Sequence, residues 1–190
     1  MQTSTDPSIP WLLEGDPSIR WQTLRDLEGT KEEVYTRERR RVESDGWGAR
    51  LLALQGPEGT WASGQSSDDG LYLPKWISTT YTMLLLRDFG LPPTNRQARK
   101  ACKQLLDGGL QQDGGINFGP WASRVRRGEA CVTGMEEAIE MVRSARTGDG
   151  RWPLQNSYRG KEYFKLERVG APSRWNTLRA LRVLRWWENQ

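Results

Sequence analysis

The sequence PSIRWQTLRDL at residues 17–27 recurs twice in altered form along the chain. The variant PSRWNTLRALRVL occupies residues 172–184, and the looser PKWISTTYTMLLLRDFG occupies residues 74–90. In each copy a proline precedes a tryptophan by two to four residues, and threonine, leucine and arginine follow. Proline costs no hydrogen bond in the first turn of an α-helix, so we predict that each copy starts a helix, the first with Asp16 as its N-cap.

Glycine-rich loops form a second recurring element. The sequences LQGPEGTW (54–61), LQQDGGI (110–116) and RTGDGRW (146–152) each follow a predicted helix, and each ends in glycine, one further residue, and an aromatic or aliphatic residue. Trp21 and Trp76 lie 55 residues apart. A period of about 50 residues, with two helices and one loop per unit, is typical of stacked helical hairpins.

These elements predict an all-α protein, because no segment alternates strictly between apolar and polar residues as a half-buried strand would. The remaining predicted helices cover residues 31–46, 47–55, 75–90, 95–109, about 129–146, and the chain from Ser173 onward. At 190 residues, we expect a single domain that spans residues 1–190.

Composition is typical of a soluble cytoplasmic protein. The sequence contains no apolar run of about 18 residues, which is the length that would predict a membrane span. Its N-terminal part also lacks the basic start and the apolar stretch of a signal peptide. Cys102 and Cys131 lie far apart, as expected of free thiols in a reducing compartment. The net charge of +4 is too small to predict nucleic-acid binding.

Histidine is absent from the chain, which excludes several kinds of site. There is no Ser-His or Cys-His nucleophile pair and no zinc site with an imidazole ligand, and we predict neither a metal nor a cofactor. The chain does contain ten tryptophans. Tryptophan side chains fill protein cores or form the walls of apolar pockets, so they are the candidates for ligand contact.

Several longer segments resemble one superfamily. The loop with Gln55, Gly59 and Trp61 is similar to the glutamine-to-tryptophan repeat of squalene-hopene cyclases, whose superfamily shares the α/α toroid with protein prenyltransferase β subunits. The segments EGDPSIRWQTLRDL, GWGARLLALQ, GEACVTGM and DGRWPLQN resemble squalene-cyclase-like proteins of unknown activity. The resemblance implies an (α/α) toroid in which alternate helices line a central cavity.

The chain is shorter than this resemblance implies for a complete toroid, which has about twelve helices in six hairpins. The sequence EACVTGM resembles the start of an inner helix, whereas EEAIEMVRSARTGDGRW resembles an outer helix, which puts a possible internal deletion seam near residues 135–136. We therefore expect a shortened toroid-like array of helical hairpins. Closure into a smaller bundle or association into a homodimer would cover the apolar face left open.

The resemblance also implies a proton donor, which squalene-hopene cyclases place in an Asp-x-Asp-Asp motif. Asp68 and Asp69 are the nearest match, but the first aspartate of the motif is missing. A turn role in their glycine- and serine-rich loop is the favoured alternative. Glu129 is a further weak candidate for the acid. Protein prenyltransferases bind zinc through aspartate, cysteine and histidine, so the lack of histidine argues against that activity.

Trp21, Trp76 and Trp175, together with Tyr81, would form an aromatic wall if the three repeated segments present them on one inner face. Aromatic faces suit an isoprenoid-like ligand, and each contributes about 0.5–2 kcal/mol to binding a cation. Cys131 could face the same cavity, where a helix N-terminus would lower the pKa of its thiol. The alternatives are that the tryptophans form the core itself and that Cys131 is a small core residue.

The C-terminal segment combines an apolar stripe with a cationic one. The apolar stripe is Leu178, Leu181, Leu184 and Trp187, and the cationic stripe is Arg179, Arg182 and Arg185. Residues at this spacing share one side of a helix. Arginine favours phosphate and carboxylate partners, so a diphosphate or an acidic protein is one interpretation, and a solvated, ion-paired face is the other.

These patterns together predict a squalene- or terpenoid-cyclase-like protein that lacks cyclase activity. Its function would be to bind an apolar, isoprenoid-like ligand or a protein partner. The alternative is an enzyme, an isoprenoid cyclase or isomerase that uses an unrecognised carboxylic acid. Electrostatic binding of nucleic acid is the weakest hypothesis, because the charge excess is small.

Overall fold

The computed structural model describes residues 6–110, 114, 135–157 and 162–189. These residues are mainly helical and contain no β-strand, which confirms the all-α class. Their α-helices are α1 (Ser8–Leu13), α2 (Pro17–Gln22), α3 (Glu32–Arg40), α4 (Gly46–Leu52), α5 (Thr79–Phe89), α6 (Arg96–Gly109), α7 (Met135–Ser144) and α8 (Arg174–Glu188). The arrangement of helices as a toroid stays a prediction.

Three helices begin where the sequence predicts because a side chain caps each one. The Asp16 carboxylate accepts a hydrogen bond from the amide of Ser18 at 2.8 Å at the start of α2. Asn95 caps α6 and Ser173 caps α8, each through a bond of 2.9 Å. Gly90 ends α5 in the left-handed conformation. Such caps satisfy backbone groups that a helix leaves unpaired at its ends.

The helix predicted for residues 75–90 is wrong at its start, since α5 begins only at Thr79. Trp76 has a φ of +78°, which an α-helix does not accommodate. The amides of Thr79 and Thr80 donate to carbonyls of the preceding loop at 2.8 and 3.0 Å. The loop therefore supplies acceptors for the first turn of α5, and the helix needs no residues before Thr79.

The polar helix predicted for residues 31–46 is divided into two parts. α3 ends at Arg40, and a single 3-10 turn covers Arg41–Glu43 before α4 starts. Val42 in this turn is fully buried, whereas α3 contains no buried residue. The change of helix geometry thus coincides with the point at which an apolar side chain enters a core.

α2 continues into one turn of π-helix at Thr23–Leu27. The Thr23 hydroxyl donates to the carbonyl of Ile19 at 3.0 Å, and the Glu28 amide donates to the carbonyl of Thr23 at 3.0 Å. A threonine hydroxyl that bonds to the carbonyl four residues earlier perturbs the helical ladder locally. This turn carries the acidic residue Asp26, which two arginines contact.

The described residues divide into two compact units. The first unit contains residues 6–41, 135–157 and 165–189, and with them α1, α2, α3, α7 and α8. The second unit contains residues 42–110, 114 and 162–164, and with them α4, α5 and α6. The single domain of residues 1–190 stays a prediction.

In the first unit, α7 and α8 share one apolar core. Its buried residues are Ile139, Trp152, Ala180 and Leu184. α8 also packs against α1 and α2, so elements from both ends of the described chain lie together in this unit.

In the second unit, α5 packs against both α4 and α6. The buried apolar side chains here include Leu51, Trp61, Leu86 and Phe89. The rings of Phe89 and Trp47 lie 5.5 Å apart between centroids. This core holds the glycine-rich loop of residues 54–61 against the helices on either side of it.

Candidate ligand-binding groove

Two helical hairpins in the chain use the same hydrogen bonds. The Trp61 hairpin consists of α4, α5 and the loop between them, and the Trp152 hairpin consists of α7, α8 and the loop between them. The indole N–H of Trp61 donates to the carbonyl of Leu51 at 2.9 Å, and that of Trp152 donates to the carbonyl of Val142 at 2.7 Å. In both hairpins the acceptor lies ten residues before the tryptophan.

The backbone of each tryptophan is also held by the following helix. The Trp61 amide donates to the hydroxyl of Thr79 at 2.9 Å, and the Trp152 amide donates to the hydroxyl of Thr177 at 3.0 Å. Both threonines are fully buried. Each tryptophan therefore links the two helices of its hairpin, through its ring to one helix and through its backbone to the other.

The turns before the two tryptophans match as well. Gly59 and Gly150, each two residues before its tryptophan, have φ values of +91° and +82°, which favour glycine strongly. The Gly59 carbonyl accepts a bond from the Gln55 side chain at 3.0 Å, and the Gly150 carbonyl accepts one from the Arg146 side chain at 3.1 Å. The recurring loop predicted from sequence thus has one geometry at residues 54–61 and 146–152; the copy at 110–116 extends beyond the described residues.

A groove of about 650 Å³ lies between α7 and α8 in the first unit. Its lining is mainly apolar and comprises Ala138, Met141, Val142, Ala145, Trp152, Pro153, Leu154, Gln155, Asn156, Asn176, Arg179, Ala180 and Val183. Met141 and Val183 are exposed although both are apolar. Trp152, the tryptophan that holds this hairpin together, is thus one of the residues that line the groove.

The three arginines of the predicted cationic stripe have different roles. Arg182 forms an ion pair with Asp26 at 2.9 Å. Arg185 donates to the carbonyls of Asp26 and Leu27 at 2.8 and 2.6 Å, which neutralises the C-terminal end of the π-helical turn. Arg179 forms no ion pair within the described part of the chain, and it lines both the α7–α8 groove and a second cleft of about 710 Å³ beside it.

Trp21, one of the predicted ligand residues, lies in the interior of the first unit. Its side chain is 4% exposed, and the guanidinium groups of Arg25 and Arg39 lie 4.5 and 5.1 Å from its ring. Such contacts stabilise a partly desolvated arginine through the ring's negative face. This placement agrees with the core alternative for Trp21.

Trp76 and Tyr81 are the two predicted ligand residues that the structure brings together, with ring centroids 5.1 Å apart. Tyr72 joins them, 5.5 Å from Tyr81, and the Tyr81 hydroxyl donates to that of Tyr72 at 3.2 Å. Burial, reinforced by this bond, raises the pKa of Tyr81 to about 12. Trp76 itself is 53% exposed and lies outside the helix, so it is not equivalent to Trp21.

Trp175 lies in the first turn of α8, as the sequence predicts, and is half-buried. Its amide is 3.4 Å from a carboxylate oxygen of Glu167. Glu129 and Cys131, the other predicted site residues, lie outside the described residues, as does most of the segment before the possible seam at 135–136.

Asp68 organises the loop of residues 63–73. Its carboxylate accepts bonds from the amides of Tyr72 and Leu73 at 2.8 and 2.9 Å and from the hydroxyl of Ser66. Burial would raise the pKa of Asp68, but the hydrogen bonds from Ser66 and these amides outweigh it and lower the pKa. The group is therefore ionised at neutral pH, and this arrangement agrees with the turn role.

Asp69 belongs to the same loop and is also ionised. Its carboxylate accepts bonds from the Ser63 hydroxyl at 2.7 Å and the Gly64 amide at 2.8 Å, which lower its pKa in that order of importance. The φ of Asp69 is +52°, a conformation that aspartate adopts in turns. Neither carboxylate is held protonated, as a general acid for an alkene would have to be.

Among residues 6–110, 114, 135–157 and 162–189, no group of three Cys, Asp or Glu side chains is arranged to hold a metal ion. No helix in that part of the chain has the length and apolar character that crossing a membrane requires. No protein-family model, curated protein or solved structure matches the chain. The resemblance to squalene-cyclase-like proteins accordingly stays a prediction.

The sequence patterns did not identify the α7–α8 groove. They placed the ligand residues on the repeated proline-tryptophan segments, whereas the groove is formed by α7, by the loop after it and by one face of α8. The Gly-x-Trp loop was the available signal, since Trp152 lines the groove. The exposed apolar residues Met141 and Val183 have no distinctive pattern in the sequence.

Proposed function

We propose that this chain is a helical-repeat protein that binds an apolar, isoprenoid-like ligand in the α7–α8 groove without catalysing a reaction on it. The observation that carries the proposal is an apolar groove lined by Trp152 and by the exposed apolar residues Met141 and Val183. Exposed apolar side chains that border a concave surface are typical of binding sites.

The size of the groove agrees with a small ligand. Its volume of about 650 Å³ falls within the range of about 300–1,000 Å³ that is usual for small-molecule sites. The polar groups at its edge are few, mainly the amides Gln155, Asn156 and Asn176 together with Arg179. A ligand that fits would therefore be a hydrocarbon chain with at most a small polar end.

The state of the candidate acids favours binding over catalysis. Protonation of an alkene needs a carboxylic acid that stays protonated, whereas the pKa values of Asp68 and Asp69 are lowered by hydrogen bonds. The squalene-cyclase-like resemblance then implies a related scaffold that retains the apolar site and lacks the acid. Incubation with squalene tests the enzyme alternative; cyclised products that disappear in Asp69→Asn would contradict the proposal.

Binding can be measured with farnesol, an uncharged isoprenoid alcohol, by isothermal titration calorimetry below the solubility limit of the alcohol. We expect saturable binding to one site, with a negative heat-capacity change because apolar surface is buried. Ala138 is exposed and lines the groove, so Ala138→Trp fills the site at little cost to the core. This substitution should weaken farnesol binding at least tenfold.

Ala53→Trp is the matched control, because Ala53 is exposed and belongs to the second unit. It should leave the affinity unchanged. Equal affinities in the wild type and in Ala138→Trp would show that the alcohol binds elsewhere. An absence of farnesol binding would contradict the groove proposal and favour a protein partner.

A further inference from the structure

The position of Arg179 on α8 links it to the α7–α8 groove. Asn176, Arg179, Ala180 and Val183 follow one another at helical spacing, and all four line the groove. The guanidinium group therefore belongs to the same helix face that would contact an apolar ligand, and it lies at the border with the neighbouring cleft that it also lines.

The other arginines of α8 with described contacts already have partners. Arg174 donates to the Trp11 carbonyl at 2.9 Å, Arg182 pairs with Asp26, and Arg185 binds two carbonyls. Arg179 is exposed and forms no ion pair or hydrogen bond with the described residues. It thus differs from its neighbours in having its charge free for an external anion.

One free guanidinium beside an apolar groove is complementary to one negative charge at the end of an apolar chain. Arginine binds a carboxylate through two parallel N–H···O bonds, and the uncharged polar groups of the described groove lining are the amide side chains of Gln155, Asn156 and Asn176. A diphosphate would bring additional negative charge, for which the described lining of the groove offers no second arginine. A single guanidinium group therefore favours a ligand with one carboxylate over a ligand with a diphosphate.

We propose that Arg179 binds the carboxylate of a long-chain, isoprenoid-like acid whose hydrocarbon chain occupies the α7–α8 groove. This inference rests on the proposed function, since it assumes an apolar ligand in that groove. It adds the chemical class of the ligand, an anionic amphiphile, and names the residue that recognises its charge.

The experiment compares farnesoic acid with farnesol, which has the same isoprenoid chain and no charge. Dissociation constants for both are measured at neutral pH and low salt in the wild type and in Arg179→Gln. Because Arg179 is exposed, solvent screens its charge, so the wild type should bind the acid about two- to fivefold more tightly than the alcohol. Arg179→Gln should abolish this preference, because it should weaken binding of the acid more than it weakens binding of farnesol.

Arg40→Gln is the control for net charge, because Arg40 is exposed on α3 in the same unit and does not line the groove. It should preserve the preference for the acid. A preference that survives in Arg179→Gln would overturn the inference, and so would tighter binding of farnesyl diphosphate than of farnesoic acid. If neither farnesol nor farnesoic acid binds the wild type, the proposed function fails as a whole, whereas farnesol binding without a preference for the acid contradicts only the role of Arg179.

Discussion

The Trp61 hairpin and the Trp152 hairpin share their hydrogen bonds but differ in what packs beside them. In the Trp61 hairpin, α6 follows directly, and its Gln97 and Gln104 side chains donate to carbonyls of α4 and of the loop at 2.9 Å each. Trp61 is 1% exposed. In the Trp152 hairpin, the loop is contacted by residues distant in sequence, among them Asp6, Ser8 and Trp11. The two helices of this hairpin leave a groove between them, and Trp152 is one of the residues that line it.

This difference shows that the same set of hydrogen bonds occurs both in a hairpin with a closed core and in a hairpin with an open groove. The bonds from the tryptophan ring and backbone fix the geometry of each hairpin, because they join both helices to the loop. They do not determine whether the surface between the helices is covered. A binding site can therefore arise in one copy of a repeat while another copy serves as a closed core.

The largest expected effect concerns the tryptophans themselves. Trp61→Ala should lower the free energy of unfolding by about 3–5 kcal/mol, because a fully buried side chain leaves a large cavity. Trp152→Ala should cost less, although Trp152 is also buried, because the side chains that border the groove can relax into the cavity. Denaturant unfolding followed by far-UV circular dichroism measures both.

Trp76→Ala is the control, because this residue is 53% exposed. It should cost about 1 kcal/mol or less. A loss at Trp152 that exceeds the loss at Trp61 would contradict the view that the second hairpin is the more open of the two.

A smaller effect is expected at the threonines that hold the tryptophan amides. Thr79→Val and Thr177→Val keep the side-chain shape but remove the acceptor, so a buried amide loses its partner at a cost of about 1–3 kcal/mol. If the hairpins are equivalent, the two losses should agree within about 1 kcal/mol in the same unfolding measurement.

Thr60→Val provides the comparison. Thr60 is buried, and its hydroxyl has no hydrogen-bond partner among the described residues. Its replacement should be neutral or stabilising, because it removes a buried polar group that is not paired. If Thr60→Val lowered the free energy of unfolding as much as Thr79→Val does, the loss of any buried threonine hydroxyl would explain the effect. The hydrogen bond to the tryptophan amide would then have no special role.

The smallest effect concerns the acidic residues of the two loops. The pKa values of Asp68 and Asp69 are lowered, and so is that of Asp149, chiefly by the Thr147 hydroxyl. A lowered pKa stabilises the folded protein above the ordinary aspartate value of 3.8, and this contribution is lost as the pH falls through the folded pKa. Unfolding free energies should change little between about pH 7 and 5 and fall below about pH 4.

Asp68→Asn should reduce the loss of stability at acidic pH in the Trp61 hairpin. Asp149→Asn should reduce the same loss in the Trp152 hairpin. Hydrogen exchange of the loop amides as a function of pH resolves the two hairpins from each other. Identical pH profiles for the wild type and both variants would contradict the view that the ionised Asp68 and Asp149 stabilise their loops.

The sequence was sufficient to predict the capped helix starts and the recurring loop at residues 54–61 and 146–152, because both depend on local chemistry. The caps Asp16, Asn95 and Ser173 and the Gly-x-Trp turns act over a few residues, so their patterns are visible in one chain. The start of α5 was mispredicted because its acceptors come from the loop at Gly70 and Leu71, which no helix pattern reveals.

The site depended on contacts that are distant in sequence. Trp21, Trp76 and Trp175 look alike in the sequence, yet one is buried between arginines, one is exposed beside Tyr81, and one is half-buried in α8. Similarly, Arg182 differs from Arg179 because Asp26 and Gln22, 156 and 160 residues away, contact it. Sequence spacing alone cannot distinguish such environments.

The bond between Ser8 and Gly150 has a consequence for biosynthesis, since these residues are 142 positions apart. Most of the second unit is contiguous, so it can fold while the ribosome is still translating the remainder. The N-terminal helices must wait for α7 and α8 to emerge, and during this interval their apolar faces are accessible to chaperones and proteases. A nonsense mutation ahead of Trp152 would therefore leave α1 and α2 without α8, the helix against which both pack.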